Sequence, residues 1–160
     1  MFEYPPVGFH FAVTFQLFQS PLEAITNFND AGKDMAKEFQ FQEVSGLDVE
    51  LEMESIAEGG QNRFTWQLPK RTRYSDLTLK RGMIKDSDIV KWCRNAFENF
   101  NFNPADIYIS LLNEKHEPAH TWYVASAIPK KWSVSGFNAQ ENSIVIESLT
   151  LSYQYFNVLS

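Results

Sequence analysis

A chain of 160 residues that is 44% hydrophobic and 15% aromatic carries enough apolar mass for one filled core, and hardly enough for two. Its formal net charge of -6 lacks the basic footprint on which phosphate recognition depends, which argues against sequence-specific nucleic acid as a partner. The single cysteine, Cys93, excludes an internal disulfide framework, and no run approaches the ~18 apolar residues of a spanning helix, so direct membrane insertion is not expected.

The opening residues, MFEYPPVGFHF, lack a basic region followed by an apolar run, so the reading is a protein made in the cytoplasm without a secretory signal. After Pro5-Pro6, Val7 to Phe18 alternates. Val7, Phe9, Phe11, Val13, Phe15 and Leu17 share one side, the period of two that marks a half-buried strand. Gln19 to Glu38 breaks that period, carries Pro21 and Gly32, and reads as a long loop with one short helical turn near Asp34 to Lys37.

Phe39 to Glu54 is the next strand. From Leu47 onward Leu47, Val49, Leu51 and Met53 lie on one side, where they are expected to meet the core, while Asp48, Glu50, Glu52 and Glu54 lie on the other. Phe39 and Phe41 are in step with Leu47 and Val44 is not, so a bulge or kink is expected at Ser45-Gly46. Gly59-Gly60 supplies a turn, Arg63 to Leu68 a short return strand, Pro69 to Arg73 a basic loop and Ser75 to Arg81 another strand.

Asp86 to Phe100 is the one clear helix: Ile89, Trp92, Cys93, Ala96, Phe97 and Phe100 form a single apolar stripe, and Asp86 or Ser87 can cap its first turn. Ala105 to Asn113 and His120 to Ala127 read as a hairpin around Glu114 to Pro118. Pro129 is expected to re-aim the chain into a short strand from Trp132 to Ser135, and Gly136 to Asn142 is a polar turn. In the last element, Ile144 to Val158, Leu149, Leu151, Tyr153 and Tyr155 sort away from Ser148, Thr150, Ser152 and Gln154. About seven strands and one helix predict a mainly β domain, a small sandwich or partly open barrel with the helix against one side. Strands this long expose unpaired backbone unless other copies pair with them. Head-to-tail pairing that closes gives a ring.

FHFAVTF, FQEVSGLDVELE, the EGG-x-N loop at Glu58 to Asn62, YSDLTLKRG, ISLLNE and the terminal IESLTLSYQYF occur in an order that resembles the tail tube proteins of contractile phages and phage-derived contractile injection systems. The resemblance spans nearly all of residues 1–160 as one tail-tube-like domain. It implies a subunit that closes into a hexameric ring with a continuous β-barrel lumen, stacked into a rigid conduit for cargo. The implied partners are copies of itself, a sheath protein, the baseplate hub or spike, tube-terminating proteins and luminal cargo, within a phage tail or tail-like particle. The stretch 19–38 is longer than such a subunit requires, which leaves the tube shaft and an initiator or end ring on the baseplate both open. A type VI-like secreted ring shares the architecture. A carbohydrate-binding or hydrolytic β-sandwich is the alternative of another class.

Asp48, Glu50, Glu52 and Glu54 are a solvated strand face in the bland reading and lumen-facing carboxylates under the resemblance. Residues two apart on a strand are separated by ~6.7 Å, too far for one strand to cage a calcium ion with ligands at ~2.4 Å. That spacing would suit an inverting glycosidase, at ~6.5–9.5 Å, but a ladder of like acids shows no asymmetry that would raise one pKa. Gly59, Gly60, Lys70, Arg71 and Arg73 are the candidates for ring stacking or sheath contact. Lys80 and Arg81 belong to the same basic cluster, whose bland reading is a solvated loop and strand end. HEPAH, with His116 and His120, lacks further ligands and favours a turn over zinc. Neither a cofactor nor a catalytic residue is expected.

Overall fold

The structure is a computed structural model and describes residues 10–17, 36–60, 62–83, 87–136, 139–140 and 144–159. Strand β1 (His10–Leu17) lies between β2 (Ala36–Phe41) and β7 (Ala105–Leu112), antiparallel to both, with Val13 opposite Phe39 on one edge and Ile109 on the other. From β7 the pairing continues through β8 (Pro118–Val134) to β9 (Ile146–Ser152), to β6 (Leu77–Gly82) and to β3 (Glu43–Ser45). Only Gln42 separates β2 from β3, and its N–H donates to the Lys80 carbonyl of β6 at 2.8 Å. The two ends of the sheet are therefore one bent strand. The wall closes as a barrel of β2–β3, β1, β7, β8, β9 and β6, and closure removes the edges an open sheet would expose.

The remaining elements hang on this wall. β10 (Tyr155–Val158) continues β9 after a break at Tyr153-Gln154 and pairs with the first half of β8. β4 (Val49–Ile56) and β5 (Trp66–Tyr74) pair with each other and form a separate two-stranded sheet. Helix α1 (Asp88–Asn99) lays Ile89, Trp92, Cys93 and Ala96 on the core, with the Phe15 ring edge-on to Trp92 at 5.8 Å and the Trp92 indole N–H donating to the Asn103 carbonyl at 2.8 Å.

Alternation builds the interior. Val13 and Phe15, Leu77 and Leu79, Ile107 and Ile109, and Leu149 and Leu151 are all buried, each pair two residues apart on its strand, and Val124 of β8 is buried with them. The β6–β9 rungs show how strict the rule is: Leu77 faces Leu151, Leu79 faces Leu149, and the next inward rung is Arg81 facing Glu147. Read as part of a solvated basic cluster, Arg81 is instead inside, because it keeps the phase of Leu77 and Leu79. The pair is 2.9 Å apart with each side chain only 4% exposed. Arg81 also donates to the Ser87 hydroxyl at 2.6 Å and lies over the Phe41 ring, while the Trp132 indole donates to the second Glu147 oxygen at 2.6 Å. Both charges are thus satisfied in the low-dielectric interior.

Other departures from the sequence expectation have local causes. Residues 19–35 of the expected loop lie outside the described residues, and Ala36, Lys37 and Glu38 are already strand, held by pairing with β1 rather than by a helical turn. Pro129 does not end a strand: β8 runs on, absorbing the proline at a register shift between Pro129 and Lys131. A second irregularity faces Asp106, whose carboxylate accepts from the Ser126 N–H at 3.0 Å and the Tyr123 hydroxyl at 2.9 Å, with Ser126 at φ 50. Ser87 takes the cap position of α1, but its hydroxyl serves Arg81 instead of the helix, and Asp86 lies outside the described residues. Phe97 and Phe100 continue the stripe beyond the core and are exposed, Phe100 in the left-handed conformation at the helix end.

Glu147→Ala leaves the Arg81 guanidinium buried without its carboxylate, and is expected to cost about 3–5 kcal/mol in chemical denaturation. Replacing both partners with apolar residues of similar volume should cost much less.

Candidate assembly surface

β3 leaves the barrel at Gly46. The glycine sits at φ 94, and a Cβ there would lie 1.9 Å from the Asp76 carbonyl oxygen, so backbone approaches backbone where only glycine fits. This is the kink expected at Ser45-Gly46. Past it, Leu47 and Asp48 cross outside any strand, with the Ser75 N–H donating to the Asp48 carbonyl at 3.3 Å, and β4 and β5 then project as a two-stranded arm. In chain terms β3–β4 and β5–β6 are one long hairpin whose inner half belongs to the barrel and whose outer half does not.

The joint is held by side chains distant in sequence. Lys130 of β8 pairs with Asp76 at 2.6 Å, and the Tyr153 hydroxyl donates to the Gly46 carbonyl at 3.4 Å. Tyr74, the last residue of β5, stands edge-on to Tyr153 at 6.1 Å and to Phe156 at 5.3 Å. Burial, followed by the nearby carboxylates of Asp48 and Asp76, pushes the Tyr153 phenol up to about 12, so it stays a donor at any physiological pH. Sequence reasoning missed Asp76, Lys130 and Phe156 as parts of this elbow, and nothing local signals contacts across such separations.

Opposite residues of an antiparallel pair share a face, which sorts the arm. One face carries Val49 opposite Tyr74, Leu51 opposite Thr72 and Met53 opposite Pro69. The other carries Glu50 opposite Arg73, Glu52 opposite Arg71, Glu54 opposite Leu68 and Ile56 opposite Trp66. The register shifts by one residue between Glu52 and Met53, which leaves Lys70 as the extra residue of β5 and accommodates Pro69.

Two expectations change with this geometry. Val49, Leu51 and Met53 do not sit on the subunit's own core: they are 53%, 49% and 48% exposed, because the elbow carries them away from the barrel. Asp48 lies just before β4, at the elbow, while Glu50, Glu52 and Glu54 share a face of β4. The stretch Pro69 to Arg73 is strand rather than loop, and it sets Arg71 and Arg73 directly across from the carboxylates. Arg71 meets Glu52 at 2.8 Å and holds its carboxyl below the usual range through that hydrogen bond. A general acid needs the opposite displacement, so Glu52 is unsuited to the acid's role in glycoside hydrolysis. Gly59 and Gly60 form the turn at the arm's tip, Gly60 at φ 92, beside exposed Ile56, Phe64 and Trp66.

HEPAH lies at the turn between β7 and β8 and the start of β8, shaped by the Asn113 side chain, which accepts from the N–H groups of Lys115 and Glu117 at 2.9 Å each. Among the described residues no three metal-ligating side chains converge. Cys93 is core, its thiol pushed up to about 12 by burial.

A closed barrel extends a two-stranded arm whose Val49, Leu51 and Met53 the subunit itself leaves uncovered, although an isolated two-stranded ribbon is marginal in water. The sequence model of the T4-like virus tail tube protein gp19 family matches residues 7–157, and the chain belongs to that family. No curated protein matches it. Among solved structures, it is similar to a chain of the anti-feeding prophage baseplate, six-fold symmetrised, at 27% identity and a TM-score of 0.85, covering 99% of this chain and 98% of that one. It is also similar to a chain of the sheath–tube complex of an extracellular contractile injection system, at 24% identity and a TM-score of 0.76, covering 99% and 93%. A type six secretion system protein shares the fold at 11% identity and a TM-score of 0.60, covering 94% and 83%.

Gly46→Ala is expected to destabilise the subunit by at least about 2 kcal/mol, because the new methyl group both enters positive φ and meets the Asp76 backbone. Gly59→Ala, which meets nothing within 4 Å, is the matched control, and comparing their urea midpoints reads the difference.

Proposed function

We propose that this chain is a non-enzymatic structural subunit of the inner tube of a contractile injection apparatus, closing into hexameric rings that stack into a rigid conduit for cargo. The observation that carries the reading is the arm. In a member of the tail tube family, β4 and β5 offer an apolar face and unshared backbone edges that the subunit itself leaves uncovered.

In this arrangement Val49, Leu51 and Met53 pack against the neighbouring subunit, and the face with Glu50, Glu52, Glu54, Arg71 and Arg73 turns to the lumen. The tip around Gly59 and Gly60, with Lys70 on the bulge, reaches the next ring or the sheath. The tube sits inside a sheath between a baseplate and a terminating protein, in a phage tail or tail-like particle. The solved assemblies of sheath with tube and of a baseplate, in which similar chains occur, support those partners. Residues 1–160 act as one tail-tube-like domain, and Ala36 to Glu38, at the end of the stretch expected as a loop, belong to its barrel strand β2.

A second reading places the subunit in the ring that initiates the tube on the baseplate. It is favoured by the higher likeness to the baseplate chain, 0.85 against 0.76 for the sheath–tube chain. Gold labelling of the subunit in intact particles separates the two: label along the whole shaft identifies the tube, and label at one end identifies the initiator.

Leu51→Lys tests the arm directly. Because Leu51 is half-exposed, the variant should keep a melting temperature within about 2 °C of the parent monomer while losing rings in light scattering and negative-stain images. A stable monomer for the parent chain at all concentrations, binding oligosaccharide, would overturn the proposal.

A further inference from the structure

We infer that the elbow formed by Gly46, Asp76, Lys130 and Tyr153 sets the number of subunits in the ring, by fixing the angle between arm and barrel. The inference rests on the ring reading above and adds the residues that determine its closure.

A head-to-tail contact closes only if its rotation divides the circle. About 60° per step closes at six, about 51° at seven and about 72° at five, so roughly 10° separates one ring size from the next. The arm is the lever through which this rotation is set. Its eight-residue strand β4 reaches about 26 Å at ~3.3 Å per residue, and a 10° swing at its root moves the tip by roughly 5 Å, about one strand spacing. A tip displaced that far would meet the wrong strand of its neighbour.

The strand ladder alone does not restrain that swing. The ladder from β3–β6 to β4–β5 is interrupted at residues 46–48 and 75–76, where a single backbone hydrogen bond, Ser75 to Asp48, bridges the gap. The remaining restraints come from elsewhere on the wall. Lys130 holds Asp76 from β8, Tyr153 holds the Gly46 carbonyl from the break between β9 and β10, and Tyr153 and Phe156 pack against Tyr74. They grip both strands of the hairpin, Gly46 on one and Tyr74 and Asp76 on the other. An exposed ion pair such as Lys130–Asp76 adds little stability, so its removal tests angle rather than folding.

The experiment compares the full chain with Asp76→Ala, Lys130→Ala, Tyr153→Phe and the charge-swapped double variant Asp76→Lys with Lys130→Asp. Melting curves establish folding, and native mass spectrometry with negative-stain class averages reads ring size. The parent chain should give one ring size. Each single variant should melt like the parent yet give a mixture of ring sizes or open spirals, and the swap should return a single size. Folded single variants that all close at the parent's ring size would overturn the inference and leave the tube reading intact. A parent chain that never closes into rings would overturn both.

Discussion

Once a β-sheet closes on itself its backbone groups are paired around the whole circumference, and nothing remains along the wall to offer a neighbour. That constraint governs this molecule. The bend at Gln42 lets one strand serve β1 with its first half and β6 with its second, and the barrel is complete before the hairpin is spent. Among the described residues, β4 and β5 leave the wall altogether, and with the outer edge of β10 they remain to pair with anything else. The positive φ of Gly46 is the means of departure.

The arm's two faces then divide the work. On one, Val49, Leu51 and Met53 are each about half-exposed, and full burial of such a side chain contributes about 1.5–3 kcal/mol, so a neighbour that covers all three gains several kcal/mol per contact. On the other, Glu50 and Glu52 stand across from Arg73 and Arg71, which relieves the repulsion a bare ladder of carboxylates would suffer. The chain belongs to the tail tube family and joins a closed barrel to a limb whose apolar face it does not itself cover.

Much of this was legible from the residues. The period of two located β1, β4 and β9, the strands expected at Ser75 to Arg81 and Ala105 to Asn113 match β6 and β7, the helical stripe located α1, and the phase change around Ser45-Gly46 located the kink. Alternation even carried the correct answer for Arg81, which continues the inward row of Leu77 and Leu79. Charge had pulled the reading toward solvent, and only the facing Glu147 reverses that preference. What the residues did not disclose was partnership. The apolar row of Leu51 implies a surface to be covered, but not whether the same chain covers it. The basic run from Pro69 to Arg73 looks like a loop until its strand partner is known. The elbow was invisible for the same reason, since Lys130 and Asp76 are 54 residues apart.

Strand β8 runs its 17 residues through most of the barrel, bending at the irregularities near Ser126 and Pro129. β7 grips its first half, β10 doubles that grip between Trp122 and Ala125, and β9 takes over from Ile128 to Val134. A pull along its axis loads these rungs in shear, so many must fail together, whereas a sideways peel would release them one by one. Along that strand the wall resists as fibres resist in a reinforced sheet, by sharing the load among neighbours.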